Sequence, residues 1–352
     1  MPDSVGRTAV VLFNLGGPDG PDSVRPFLFN LFNDPAIIGA PAPVRWMLAR
    51  WISHRRAPIA RKIYAHLGGG SPLVVNTQAQ ARALEQALAP HFTARGGALR
   101  IFICMRYWHP MSDAVARAVK TYRPDRIVLL PLYPQFSTTT TGSSLKDWRR
   151  AAAGAGLDAA TTTLCCYPIE DGFVREIAER MAPALERAMR TGRPRVLFSA
   201  HGLPEKIVAA GDPYQWQVER TAAAVVARLE HRDLDWTICY QSRVGPLEWI
   251  GPATDTEITR AGRDRVPVVV VPIAFVSEHS ETLVELDIEY ARLARETGVP
   301  AYERVPTVDA GAAFIAGLAR LVTQAVASDR AVCSHRGTRF CPAHWTRCVN
   351  PA

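Results

Sequence analysis

The side chains best suited to chemistry lie where apolar runs stop. The run Val196-Leu197-Phe198-Ser199-Ala200 delivers His201, and Gly202-Leu203-Pro204 then turns the chain. An imidazole there can take up a proton or bind a metal ion near neutral pH. The plainer alternative is a histidine that caps its strand by bonding nearby backbone. A second run, 268–275, leads into Ser277-Glu278-His279-Ser280-Glu281, with Glu285 and Glu289 following. At about 100° per residue, Glu278, Glu281, Glu285 and Glu289 share one helix face, with Leu283, Leu286 and Tyr290 opposite. An acidic stripe on a helix is commonly a solvated surface, a reading that serves for Glu289 alone. Four like charges at this spacing repel unless something positive neutralises them, and no Lys lies within the stripe. A file of carboxylates beside His279, passing protons or a hydrated cation inward, accounts better for the pattern.

Elements that position these groups can be read from the same runs. Apolar, β-branched stretches occur at 8–15, 100–107, 126–134, 161–166, 195–201, 236–241, 266–275 and 301–306. Most are continuous rather than alternating, as expected of strands covered on both faces of a parallel sheet. Helical periodicity falls between them, at 76–88, 112–122, 172–190, 213–229, 281–296 and 311–327. The alternation predicts an α/β fold of two similar Rossmann-like lobes, each a four-stranded parallel sheet flanked by helices, with a cleft between them. The expected division is an N-terminal lobe over 1–168 and a C-terminal lobe over 169–308. A helix over 309–330 returns to the first lobe, and a cysteine-containing tail spans 331–352. In such folds ligands sit outside the carboxyl ends of the strands.

Composition narrows the classes. The chain has 352 residues, is 48% hydrophobic and 21% charged, and carries a net charge of +8. That is a globular balance with a preference for anionic partners. No Lys/Arg run interleaved with aromatics appears, which argues against nucleic acid. No stretch approaches the roughly 18 apolar residues that would span a bilayer, and the first residues lack a signal-peptide pattern, so a cytoplasmic location is expected. Segment 27–56 breaks the α/β pattern, with Trp46, Met47, Leu48, Trp51 and Ile52 set among Arg45, Arg50, Arg55 and Arg56. It reads either as an amphipathic helix packed on its lobe or as an exposed apolar lip with a basic edge, suited to a membrane surface or a greasy anionic substrate. Glycine-rich or hydroxyl-rich turns at 13–18, 67–72, 135–144 and 241–246 complete the set.

Together these segments closely resemble the ferrochelatase family over 9–327. The motifs are FNLGGP (13–18), RKIYAHLGGGSP (61–72), RYWHP (106–110), LPLYPQFSTTTTGSS (130–144), FSAHGLPEKI (198–207), YQSRVGP (240–246) and PIAFVSEHSETLVELDIEY (272–290). The resemblance implies a chelatase-like fold and insertion of Fe(II), as substrate, into protoporphyrin IX with release of two protons, the last step of haem synthesis. It makes His201 the active-site histidine, Glu281 the essential carboxylate and His279 the histidine beside it. Glu285 and Glu289 continue the acidic file on a locally widened helix. Arg56 and Ser71 match positions that hold a porphyrin propionate; Leu15, Tyr64, Arg106, Tyr107 and Trp249 match the macrocycle pocket. The residues leave open which of His201 and Glu281 takes protons and which guides metal. The favoured assignment is a proton-accepting pair, with iron arriving from the opposite face near Arg106 and Tyr107. Membrane contact on the inner face of the cytoplasmic membrane and a homodimer are further expectations.

Seven cysteines in a chain of this length do not form a secreted disulfide framework. Many members of the family carry a 2Fe–2S cluster, whose internal ligand the resemblance matches to Cys166 and two of whose tail ligands it matches to Cys341 and Cys348; Cys333 could substitute for the remaining one, as Cys165 could for Cys166. The usual ligand two residues after Cys348 is replaced here by Asn350. A zinc site, or a tail of unligated thiols, is the other reading. Competing functions are a chelatase for coproporphyrin or cobalt, and a non-enzymatic two-lobed binder of haem. The apolar lip favours protoporphyrin, and the acidic file argues against a mere binder of an anion.

Overall fold

The computed structural model describes residues 6–229, 233–243 and 245–351. The chain divides into two compact units: residues up to Cys166 with Leu318–Phe340 and 349 onward, and Tyr167–Gly317 with Cys341–Cys348.

The first unit is built on β1 (Arg7–Asn14), β2 (Ala98–Met105), β3 (Arg126–Pro131) and β4 (Ala160–Leu164), in the order β2-β1-β3-β4, all parallel. From Thr8 onward every residue of β1 is buried, because helices cover both faces of the sheet; hence the continuous apolar run. Its helices are α1 (Val24–Phe32), α2 (Ala42–Ala65), α3 (Leu73–Thr93), α4 (Ser112–Tyr122) and α5 (Thr141–Ala155). Val115 and Val119 of α4 and Leu145 and Trp148 of α5 pack on Val11 and Phe13 of β1, with Phe13 and Trp148 meeting edge to face at 5.9 Å.

The second unit repeats that strand order with β5 (Arg195–His201), β6 (Asp235–Gln241), β7 (Val268–Pro272) and β8 (Tyr302–Arg304), arranged β6-β5-β7-β8 and parallel. Its helices are α6 (Asp171–Met189), α7 (Glu205–Ala209), α8 (Tyr214–Arg228) and α9 (Thr254–Asp264). A π-helix over Glu281–Tyr290 runs into α10 (Ala291–Glu296), and α11 (Ala312–Val326) follows. In each sheet the chain first builds to one side of its opening strand and then to the other. The switch point therefore lies at the carboxyl ends of β1 and β3, and of β5 and β7. Asn14 and His201 end the two opening strands.

The architecture is the pair of parallel-sheet lobes the runs predict, with three local differences. The first sheet has a fifth strand, β9 (Val332–Cys333), paired with Thr163 and Leu164 of β4, so the tail joins the core. Two residues are too short to show a period. The hydroxyl-rich stretch expected as loop turns into helix at Thr141, because Thr141, Ser143 and Ser144 are buried polar residues rather than solvated ones. Helix α9 lies outside the helical stretches expected, since its buried face, Thr254, Glu257, Ile258, Ala261 and Gly262, carries only one large apolar side chain.

Candidate active site

Strand β5 carries His201 to the switch point of the second sheet, and Gly202 continues the turn. A Cβ on Gly202 would stand 2.9 Å from the carbonyl oxygen of Gln241 and 3.2 Å from the Trp249 ring, so only glycine lets these segments close. Ile250 N–H donates to the Leu203 carbonyl at 3.0 Å, holding Trp249 beside the turn. Nδ1 of His201 lies 2.8 Å from Oε2 of Glu281, the first residue of the π-helix. The His201 side chain keeps 43% of its surface exposed, so Nε2 remains for a further partner.

His279 approaches the same oxygen from the other side, with Nε2 at 3.8 Å. Its Nδ1 lies 2.9 Å from the Ser277 carbonyl, and its ring stacks edge to face on Phe275. Donation from Nδ1 to that carbonyl fixes which nitrogen faces Glu281. Burial alone would push the Glu281 carboxyl up, but the charge and hydrogen bond of His201, with a smaller contribution from His279, hold it well below the carboxylate range. Burial likewise lowers both imidazoles, and Glu281 more than reverses this, so both end above the usual histidine value. The site is an ionised carboxylate between two imidazoles that tend to stay protonated.

The next acid, Glu285, sits in a cradle of donors that the sequence did not reveal. It accepts from Gln241 Nε2 (2.9 Å), from the backbone N–H (2.8 Å) and hydroxyl (2.5 Å) of Ser242, and from the Tyr290 hydroxyl (3.1 Å). Ser242 adopts φ of 61°, a left-handed conformation that costs a non-glycine residue and that turns both its donors onto one carboxylate. Gln241 Nε2 also donates to the Glu281 carbonyl at 2.9 Å, so one side chain spans both acids. A turn closed by i→i+5 bonds holds more than four residues, so residues four apart stay on one face. Glu281 and Glu285 are partly buried and Glu289 is exposed, so the file opens toward solvent along the helix.

Glu278 differs from the others. Its carboxylate pairs with Arg304 at 2.5 Å and accepts from the Thr307 N–H at 2.9 Å, while Arg304 also pairs with Asp287 at 2.5 Å. The positive charge that the stripe requires thus comes from β8, far along the chain. Burial raises the Glu278 carboxyl, and the Arg304 charge together with hydrogen bonds from Thr282, Thr307 and Arg304 outweighs it, leaving it lowered.

The first unit gathers its own set. Arg106 and Tyr107 N–H groups donate to the carbonyls of Asn14 (2.9 Å) and Leu15 (3.0 Å), and Ser71 N–H donates to Pro18 (2.7 Å). Three glycine-bearing or aromatic turns read separately in the sequence are therefore one structure. A Cβ on Gly17 would lie 2.5 Å from the Ser71 side chain, which is why glycine stands there. Leu15, Tyr64 and Tyr107 belong to one apolar cluster with Phe27 and Ala57. Arg106 spends its guanidinium on Ser143 (2.7 Å) and Asp34 (2.9 Å), and the Tyr107 hydroxyl donates to Asp34 at 2.8 Å. Arg56 is exposed on α2, its guanidinium 5.7 Å from the Phe32 ring. Helix α2 buries the small residues Ala49, Ser53 and Ala57, while Trp46, Met47 and Trp51 are 48%, 59% and 58% exposed. Within 27–56, α2 is thus a packed helix that also leaves an apolar, arginine-edged face exposed. Arg50 and Arg55 lie over Trp46 and Trp51 at 5.7 and 5.3 Å.

Of the cysteines, Cys165, Cys166 and Cys333 meet in the first unit: their Sγ atoms are 3.4 Å apart for Cys165 and Cys166, and Cys165 N–H donates to the Cys333 carbonyl at 2.8 Å. Cys341 and Cys348 belong to the second, where Gln217 Nε2 donates to Cys341 Sγ at 3.0 Å. Among the described residues no group of three or more His, Cys, Asp or Glu could hold a metal ion, and no helix is long and apolar enough to cross a membrane.

Comparison with known proteins agrees in sequence and in fold. The family model described as Ferrochelatase matches residues 7–326. A ferrochelatase of Caulobacter vibrioides (strain NA1000 / CB15N) is 56% identical over 342 residues, covering 97% of each chain. One from Phenylobacterium zucineum is 55% identical over 343 residues, covering 97% of this chain and 98% of its own. Among solved structures, the sirohydrochlorin chelatase SirB of Bacillus subtilis subspecies spizizenii in complex with cobalt has a TM-score of 0.53 at 11% identity, covering 92% of this chain and 97% of its own. That likeness concerns the fold alone.

Proposed function

The chain belongs to the ferrochelatase family, and from that premise we propose that His201 and Glu281 form the pair that takes the pyrrole protons during metal insertion. It is a porphyrin metal chelatase, a lyase of haem biosynthesis that inserts Fe(II) into protoporphyrin IX. Both the iron and the porphyrin are substrates. The observation that carries the pair is the 2.8 Å contact between His201 Nδ1 and Glu281 at the switch point, with Nε2 left for the substrate.

Each step follows from the atoms present. Insertion of a divalent ion requires two pyrrole N–H groups to lose their protons. Nε2 of a neutral His201 accepts such a proton, and the imidazolium so formed is stabilised by Glu281 through Nδ1. Glu285 and Glu289, increasingly exposed along the π-helix, provide carboxylates that relay protons or a hydrated cation between His201 and solvent. His279 tunes Glu281, and Glu278 anchors the helix through Arg304. Leu15, Tyr64, Tyr107 and Trp249 serve as walls for the flat apolar ring, and Arg56 and Ser71 receive its carboxylates. Arg106 and Tyr107 act as walls rather than as ion ligands, because Asp34 and Ser143 already take their polar atoms.

Anaerobic assay with ferrous iron and, in parallel, protoporphyrin IX and coproporphyrin, following the Soret band of the product, tests the reading. His201→Ala and Glu281→Ala are each expected to come close to abolishing turnover. Retained turnover in either would remove that residue from the proton-accepting pair.

The lip is proposed to rest on an anionic membrane surface through Trp46, Met47 and Trp51, with Arg50 and Arg55 meeting phosphates, the inner face of the cytoplasmic membrane being the surface proposed. A homodimer belongs to the same reading and is tested by light scattering. A 2Fe–2S cluster at Cys166, Cys333, Cys341 and Cys348 has the buried thiols in its favour. Cys166 and Cys333 lie in the first unit and Cys341 and Cys348 in the second, and no step is derived through a cluster. Charge-transfer bands in the visible spectrum of anaerobically purified protein would establish it, and their absence would dismiss it.

A further inference from the structure

Asp34 lies between α1 and α2 in a turn whose other residues are exposed or half-buried, yet its own side chain is 2% exposed. Oδ1 accepts from the Ala36 N–H at 2.8 Å, and the Asp34 carbonyl accepts from Ile37 (3.0 Å) and Ile38 (2.9 Å). This residue therefore closes the turn that enters α2. Oδ2 accepts from the Tyr107 hydroxyl (2.8 Å), from Arg106 Nη2 (2.9 Å) and from the Ser143 hydroxyl. Asn30 adds a bond from its Nδ2 to the Tyr107 carbonyl at 3.0 Å. A carboxylate withdrawn from water persists only where donors replace its hydration. Here the donors come from the turn, from the end of β2 and from the first turn of α5.

We infer that Asp34 is a positioning residue that couples the entry of the exposed helix α2 to Arg106 and Tyr107, holding turn and pocket wall with one carboxylate. The consequence for catalysis rests on the reading of Arg106 and Tyr107 as walls of the macrocycle pocket. Asparagine has nearly the same shape but a single acceptor oxygen. Whichever way its amide turns, its NH₂ group faces the N–H of either Ala36 or Arg106, and two donors cannot bond. Substitution by Asn thus cuts one half of the coupling while keeping the volume.

The test compares Asp34→Asn, Ser143→Ala and Arg106→Ala in the full chain by two readouts, hydrogen–deuterium exchange and steady-state kinetics with ferrous iron and protoporphyrin IX. Asp34→Asn is expected to speed exchange over 36–56 and 106–108 while residues of the second unit keep their rates. The KM for porphyrin should rise about tenfold, as loss of one charge-assisted hydrogen bond would give, with kcat nearly unchanged. An unchanged KM together with exchange that is unaltered in those segments, or raised uniformly, would overturn the inference. If Asp34→Asn does not fold, Ser143→Ala, which removes only one donor, is judged by the same two readouts. An unchanged porphyrin KM in Arg106→Ala refutes the pocket reading instead. The exchange pattern then decides the coupling alone: local acceleration supports it, and its absence overturns it.

Discussion

Oε2 of Glu281 faces two imidazole nitrogens, His201 Nδ1 at 2.8 Å and His279 Nε2 at 3.8 Å. The nearer ring comes from a strand end and the farther from the segment that leads into the helix. A carboxylate so placed stays ionised and biases both rings toward protonation, which has a consequence for rate.

A general base must be neutral to accept a proton. Burial lowers the His201 value, and Glu281 more than offsets it, so the ring gives up its proton only above the ordinary histidine range. The ratio kcat/KM is therefore expected to climb as pH rises through that raised value. Glu281→Gln removes the charge that raises it, so the ascending limb should move to lower pH while the rate drops by about 10²–10⁴. A pH–rate profile of the variant with an unmoved limb would contradict the pairing.

Arg304 is the counter-charge for Glu278 and Asp287, and all three lie in a largely buried network. Arg304→Met should destabilise the second unit by about 3 kcal/mol, because two partly buried carboxylates lose their partner. Glu278 has a lowered value, so its contribution is present above the ordinary carboxylate range and fades as pH falls through it. Urea unfolding at pH 7 and pH 4 checks both statements; the gap between variant and parent should narrow at the lower pH.

Gly17 carries no unusual backbone angle, so an added methyl group acts by contact alone, 2.5 Å from Ser71. Gly17→Ala should cost about 1–3 kcal/mol through overpacking and raise the porphyrin KM by displacing Ser71. Adding Ser71→Gly to it should restore the thermal midpoint but leave KM high. Recovery of both would show that Ser71 contributes packing and nothing to the substrate.

The exposed rings of α2 should make vesicle binding depend on them. Co-sedimentation with anionic vesicles is expected at low salt, and the double variant Trp46→Ser, Trp51→Ser should bind about tenfold or more weakly. Each nearby arginine should add about 1 kcal/mol that high salt removes. Equal sedimentation of parent and variant would mean that these rings face something other than lipid.

How much could be read beforehand differs by element. Strands β1, β3, β5 and β7 are covered on both faces, and that burial writes itself as unbroken apolar runs. Their carboxyl ends in turn mark Asn14 and His201. The lip could be read as two things because α2 is two things, a small-residue face packed inward and an aromatic face left outward. Helix α5 was hidden because buried hydroxyls look like loop residues until their partners are known.

The sequence by itself determined the alternation of strands and helices, the strand-end histidine, the spacing of Glu281, Glu285 and Glu289, and the family. Those are local properties, carried by residue type and period over a few turns. Only the tertiary structure decided which acids are neutralised and by what. Glu278 finds Arg304 across 26 residues, Glu285 finds Gln241 across 44, and Asp34 finds Arg106 and Tyr107 across 72 and 73. A buried carboxylate is defined by the donors that replace its water, and those donors arrive from wherever the chain returns. No period in the sequence records that distance.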